Sequence, residues 1–317
     1  MGAPVSANNV AYASRYAILP ALFIVFLAVR ISLRAPALDY WLPNWDALPI
    51  IGTLIILERL YAYKYANSQR SLLARDIAST FVNLFVTGAV TGFVVLPILV
   101  FFTQLYFGRK LVFASSGQLG PLWVQIAAIV LVVSFFRYWM HRLQHSNEFL
   151  WKLHSYHHRV TDIQASNILV SNPIDFMLRN VLIILVLGII GFKPLALLIA
   201  VPAVQIYGFF SHCGGDVKGG WLNYLFVTPE VHRWHHTVEV PEGYGYSVNY
   251  GVEFSFWDVL FGTYYLPQKD GQTIPARVGY PGGLADESNY LRLLLVPLGL
   301  YEIVLWLRRA VRMPTIP

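Results

Sequence analysis

Apolar and polar positions fall into long blocks along the chain rather than short alternations. A first apolar block covers 16–33. A shorter second covers 48–63 and is interrupted by Glu58 and Arg59. Residues 78–107, "ASTFVNLFVTGAVTGFVVLPILVFFTQLYF", carry no charge, and 122–140, "LWVQIAAIVLVVSFFRYWM", carry only Arg137 near their end. A helix needs about 20 mostly apolar residues to cross a bilayer, so these blocks predict spanning helices. Residues 180–211 are equally apolar, but Gly188, Gly191, Lys193-Pro194 and Pro202 cut them into two pieces, each too short to cross alone. They predict a hairpin that dips into the membrane. A last apolar stretch, 291–307, ends in the basic "RRAVRM" and is expected to be interfacial or re-entrant. Residues 212–285 are polar and rich in Gly and Pro, as expected of a cap outside the bilayer. The pattern predicts an all-α integral membrane protein, with about four transmembrane helices, a re-entrant helical hairpin and a helical cap.

Composition agrees: 56% of the 317 residues are hydrophobic, 13% are charged, and the mean hydropathy is +0.53. The net charge of +6 does not indicate nucleic acid, because no Lys/Arg run exceeds two residues and the charges flank apolar blocks. Lys64, Arg70 and Arg75 put their loop on the cytoplasmic side by the positive-inside rule. The block at 122–140 then returns to that face and delivers His141 there. At the N-terminus, Tyr16–Val29 followed by Ala35-Pro36-Ala37 resembles a signal peptide. Arg30, Ser32 and Arg34 separate the two parts, so a retained span is expected. The single Cys213 excludes an intramolecular disulfide or a multi-cysteine metal site.

All nine histidines lie in four short stretches. His141 and His145 occur in "HRLQH", His154, His157 and His158 in "LHSYHH", His212 in "FSHCG", and His232, His235 and His236 in "VHRWHH". Histidines at i and i+4 share a helix face, so their rings converge on one point. Eight or nine imidazoles exceed what one ion can use and suit a pair of metals. Nitrogen ligation fits zinc, iron, copper or nickel. No histidine is followed by Glu, which excludes the His-Glu-x-x-His zinc protease pattern, and the Glu-x-x-His pattern of carboxylate di-iron bundles is also absent. What remains is a histidine-only dimetal site beside apolar helices. A histidine-rich metal-ion transporter is the rival from another class. Such proteins place ligands near mid-membrane, whereas these boxes follow span ends.

From about Leu122 to Tyr265, "YWMHRLQH", "LWKLHSYHH", "VTPEVHRWHH", "NYG" and "SFWDVLFGTYY" together resemble the fatty acid hydroxylase/sterol desaturase superfamily of membrane di-iron enzymes. The resemblance implies a helical anchor capped by a cytoplasmic bundle that holds two iron ions. It implies that O2 and two electrons are used to hydroxylate a C–H bond of a membrane lipid, with desaturation as the alternative. His141, His145, His154, His157, His158, His232, His235 and His236 are the ligands it carries over, and His212 joins them as a metal candidate. Two positions depart from common family patterns. Asn172-Pro173 stands where many relatives have His-Pro, and Asp216 stands four residues after His212, where some have a further histidine. Asp216 is therefore also a candidate ligand. The implied organisation is membrane helices over 1–120, a catalytic domain over 121–285, and a C-terminal hydrophobic helix with a basic tail over 286–317. Electrons are expected from a separate ferredoxin or cytochrome b5 type donor with its reductase. A bacterial inner membrane is favoured over the endoplasmic reticulum.

Overall fold

The computed structural model describes residues 47–60, 72–107, 119–267, 275–280, 290–295 and 298–311. The block expected at 16–33 lies outside them. Among the described residues the chain is helical, with one isolated antiparallel bridge, Thr237 to Val278, and no strand. Helix α1 (Ala47–Leu60) is short and apolar. A long helical run follows, made of α2 (Leu73–Phe81), α3 (Thr87–Val90) and α4 (Leu96–Phe107), joined through π-turns at Val82–Val86 and Thr91–Val95. The hydroxyl of Thr87 reaches back five residues to the Val82 carbonyl (3.1 Å), which fits the wider π-turn.

Helix α5 (Leu122–Ser146) is the longest, and α6 (Glu148–His154) follows it directly. Asn147 makes that sharp junction by accepting the Leu150 N–H (3.0 Å) as N-cap. Helices α7 (Pro173–Ile190) and α8 (Pro194–Ser211) form the expected hairpin. Gly191 closes α7 at φ 77°, a left-handed conformation natural to glycine, and Pro194 starts α8. Each arm has 18 residues, about 27 Å at the helical rise, so each is longer than the piece expected from the glycines alone. The helix begins at Pro173, seven residues before the apolar block, and Gly188 does not interrupt it. Four helical segments are thus long and apolar enough to cross a membrane: Ala74–Leu99, Leu122–Ser146, Pro173–Ile190 and Pro194–Ser211.

The core is divided into separate clusters across these helices. Ile129 and Val133 of α5 pack with Ile183 and Leu187 of α7 and with Ala196, Ala200 and Val204 of α8. A second cluster joins Ile50, Ile51 and Leu54 of α1 to Leu169, Phe209 and Phe210. Shorter helices complete the described chain: α9 (Pro229–His235), α10 (Phe256–Phe261), and, further on, α11 (Tyr290–Leu295) and α12 (Leu300–Val311). Gly299, just before α12, adopts a left-handed conformation (φ 69°).

Polar residues inside the apolar blocks have specific partners. Ser79 and Asn83, one turn apart, give hydrogen bonds to the Leu169 carbonyl (both 2.8 Å), and Asn83 gives another to that of Ser171 (2.9 Å). They pin the loop that follows the second histidine box. Glu58, which interrupts the second apolar block, accepts the backbone N–H groups of Ala165 (2.6 Å) and Gly214. One carboxylate thus ties together the two loops on either side of the α7–α8 hairpin. Replacing Glu58 by Ala leaves two N–H groups unpaired and is expected to cost about 2–4 kcal/mol. Glu58→Gln keeps an acceptor and should cost clearly less. Thermal unfolding of the two variants in detergent checks this; equal losses would contradict it.

Candidate metal centre

The four histidine stretches converge on one place. His141 and His145 come from the last turns of α5, and His154 ends α6. His157 and His158 lie in the single 3-10 turn after it, His212 is the C-cap of α8, and His232, His235 and His236 come from α9 and its C-cap. The side chains divide into two groups, His141, His145, His154, His158 and His235 in one, and His157, His212, His232 and His236 in the other. Within each group the donor nitrogens lie within 4.8 Å of one another. The two groups adjoin, since the rings of His158 and His236 stack at 4.3 Å across the boundary. Eight of the nine are buried and His157 is partly so. The i, i+4 pairs 141/145, 154/158 and 232/236 each stay within one group, while His157 and His235 cross to the other. Each of the two His-x-x-His-His boxes therefore serves both groups.

Protein acceptors fix the tautomers of four rings. His141 Nδ1 donates to the Tyr250 carbonyl (2.8 Å), His235 Nδ1 to that of Val248 (2.8 Å), and His157 Nδ1 to that of Val170 (3.1 Å). His154 Nδ1 lies 3.3 Å from the Asp175 carboxylate. A ring that donates from Nδ1 presents Nε2 as a lone pair, the arrangement usual for metal-bound histidine. The Nε2 atoms of His141 and His154 face each other at 3.1 Å. Both rings already donate through Nδ1, so no proton is left to bridge this pair. Two nitrogens bonded to one metal at about 2.1 Å and at right angles lie about 3.0 Å apart, which matches the observed separation. The Nε2 atoms of His158 and His235, and those of His232 and His236, show the same 3.1 Å. His145 Nε2 is buried with no hydrogen-bond partner among the described residues. The donor set and its spacing therefore fit two metal ions.

Backbone devices hold these rings. In "NYG", Asn249 adopts φ 55° and ties its loop together, accepting from Tyr265 N (2.8 Å) and donating to the carbonyls of Val231 (3.1 Å) and Tyr265 (2.7 Å). Asn is among the few non-glycine residues that tolerate this conformation. Gly251 has no room for a side chain, because a Cβ would lie 2.5 Å from the Phe254 carbonyl and 2.7 Å from Asp258 Oδ2. The loop thereby presents the Val248 and Tyr250 carbonyls to His235 and His141. Glu230, in the first turn of α9, accepts from Lys218, the Gly219 N–H and Asn223, all at 3.0 Å. Arg233 is buried and donates to the Gly215 carbonyl (3.3 Å).

The two positions that depart from the family pattern make other contacts. Asp216 lies outside both histidine groups, and its carboxylate pairs with Lys218 Nζ at 3.3 Å. The chain runs on extended after His212 instead of helical, so a residue four positions later does not return to the same face. Asn172 caps α7 by accepting the Ile174 N–H (2.9 Å). The carboxylate that does touch a histidine is Asp175, in the same "SNPID". It is buried and accepts from Ser171 Oγ (3.2 Å) and Gln144 Nε2, with Arg179 at 3.2 Å. An acidic residue in a first helical turn usually just complements the helix dipole, which hides this contact from a sequence reading.

Burial opposes charging of the cap histidines. It holds His235 down to about 3 and His212 to about 4, and His158, His232 and His236 well below their ordinary value, with neighbouring rings adding repulsion to the latter three. Unfolded histidine titrates near about 6.5, so below that pH the unfolded chain binds protons that the folded chain refuses. The metal-stripped protein should therefore lose stability steadily as pH falls from 7.5 to 5. Thermal midpoints across that range check the sign; a flat or rising trend with acid would contradict it.

Residues 126–263 match the family described as "Fatty acid hydroxylase". An ornithine lipid hydroxylase of Rhizobium tropici is 32% identical over 154 residues, 48% of this chain and 45% of that protein. The human alkylglycerol monooxygenase is 31% identical over 141 residues, 42% of this chain and 29% of that protein. A Delta(7)-sterol 5(6)-desaturase of Gibberella zeae is 24% identical over 208 residues, 63% of this chain and 62% of that protein. In each case less than two thirds of the relative's length is matched. No solved structure matches. The matched region contains all nine clustered histidines, and over residues 126–263 the chain carries a domain similar to the fatty acid hydroxylase/sterol desaturase superfamily.

Proposed function

We propose that this protein is an O2-dependent di-iron hydroxylase of a membrane lipid. The observation that carries the reading is the pair of adjoining, buried, all-histidine groups at the ends of apolar helices. His141, His145, His154, His158 and His235 would hold one iron, and His157, His212, His232 and His236 the other. Bound there, the two irons would supply the activation of O2 needed to attack an unactivated C–H bond. Overall, O2, two electrons, two protons and the lipid give the alcohol and water.

The chain's own contribution is positional. Carbonyls of Tyr250, Val248 and Val170 keep three rings neutral with Nε2 free to bind, and Asp175 does the same for His154. Burial of the rings excludes bulk water from the oxidant. The apolar helices offer an oily substrate a route that avoids water. Hydroxylation is favoured over desaturation because hydroxylases and monooxygenases are among the relatives at 28–32% identity, against 24% for the sterol desaturases. An amino-acid-containing lipid of the ornithine type is the first substrate to test. The electrons would come from a separate ferredoxin or cytochrome b5 type protein with its reductase. The positive loop around Lys64–Arg75 supports a cytoplasmic active site, in a bacterial inner membrane. A metal-ion transporter is disfavoured, because seven of the nine histidines lie outside the four membrane-crossing segments.

Expression with a reductase partner under labelled O2 should yield a lipid heavier by one labelled oxygen atom. An unlabelled product lighter by two hydrogens would mean desaturation instead. His157→Ala and His235→Ala should each lose bound iron while still inserting into the membrane. Asp175→Ala should lower metal retention by roughly 10–100-fold, as for other carboxylates that orient a ligand histidine. Wild-type iron content in the variant after chelator challenge would contradict the last point.

A further inference from the structure

The polar segment that follows α9 does not stay outside the membrane throughout. Its helix α10 packs along the middle of α5. The Trp257 indole donates to Ser134 Oγ (3.1 Å), and Ser134 lies midway between Leu122 and Ser146. Phe135 meets Trp257 at 5.2 Å, and Phe261 meets both Tyr138 (5.3 Å, stacked) and Trp139 (5.0 Å). At the helical rise, Ser134 is about 10 Å further along α5 than His141. Helix α10 therefore reaches well past the level of the histidines, alongside a helix that crosses the bilayer.

Its outer surface is apolar. Val259 is 49% exposed and Leu260 64%, and they extend the exposed stripe that Leu131, Trp139 and Leu143 form along α5. Asp258, the charged residue within α10, is satisfied internally, as a polar group at membrane depth requires. The Asp258 carboxylate accepts from Tyr250 N (2.6 Å), Gly251 N (2.8 Å) and Thr263 Oγ1 (2.7 Å), while its carbonyl accepts from Thr263 N (2.8 Å) and Tyr264 N (3.2 Å). Arg137 of α5 forms an ion pair with buried Glu253, so neither charge faces lipid alone.

We propose that α10 is a re-entrant wedge whose Val259–Leu260 face lies in the hydrocarbon of the bilayer, in the leaflet beside the histidine groups. Continuity with the lipid-facing stripe of α5 selects lipid as the occupant. The wedge follows directly from the loop whose Tyr250 and Val248 carbonyls hold His141 and His235, so seating in the bilayer also fixes that loop.

The test uses the full-length protein in phosphatidylcholine vesicles, with a nitroxide label at Leu260→Cys and, separately, at Val259→Cys. Leu131→Cys serves as the lipid reference and exposed Lys152→Cys as the water reference. Native Cys213 is buried, and the wild-type chain gives the blank. Collision rates with O2 and with a water-soluble nickel chelate are read by electron paramagnetic resonance. The wedge predicts an O2-to-chelate ratio close to that at Leu131 and several-fold above that at Lys152. A ratio like that of Lys152 would place the face in water and overturn the proposal. Poor access for both reagents would mean that a protein surface covers the face, and would overturn it equally.

Discussion

Everything in this fold depends on keeping nine imidazoles neutral, eight of them buried, and pointed at one another. The Nε2 lone pairs of His141 and His154, facing at 3.1 Å with both Nδ1 atoms already donating, repel in a low-dielectric interior. Protonating one partner would relieve a pair, but burial opposes the charge. A bound cation removes the conflict. The surrounding structure holds the rings in positions that would suit such a cation.

That surrounding structure is spread over the whole described chain. Glu58 and Asn83, on helices that contribute no histidine, hold the loops that carry or flank the second box and His212. The α7–α8 hairpin separates those loops in sequence and brings Asp175 to His154 at its base. The NYG loop gives the first and third boxes a common support. Membrane anchor and metal centre are therefore one unit: helices that cross the bilayer also set the angles of the ligands.

Much of this was legible in the sequence, for identifiable reasons. Apolar block length marked the spans at 78–107 and 122–140, and the i, i+4 rule paired the histidines, because both signals are local. His212 was recovered because the chain has so few histidines that none looks incidental. Long-range pairings were hidden. Glu58 looked like an interruption of an apolar helix until its two backbone partners, 107 and 156 residues away, were seen. Asp175 looked like an ordinary first-turn acid. Asp216 was singled out only by the resemblance, as the place four residues after His212 where some relatives have a histidine, and the chain is not helical there. The hairpin arms were judged short because glycine was read as a breaker, whereas Gly188 continues α7 and only Gly191, in the left-handed conformation, ends it.

The central claim is that two irons occupy the two histidine groups and nothing else supplies their protein ligands. X-ray absorption at the iron edge of the purified, iron-loaded protein addresses it most directly. The account predicts two irons per chain, each with a first shell dominated by imidazole nitrogen, and with the multiple-scattering pattern of the imidazole ring. A single metal per chain, or a first shell dominated by carboxylate oxygen or sulfur, would contradict it.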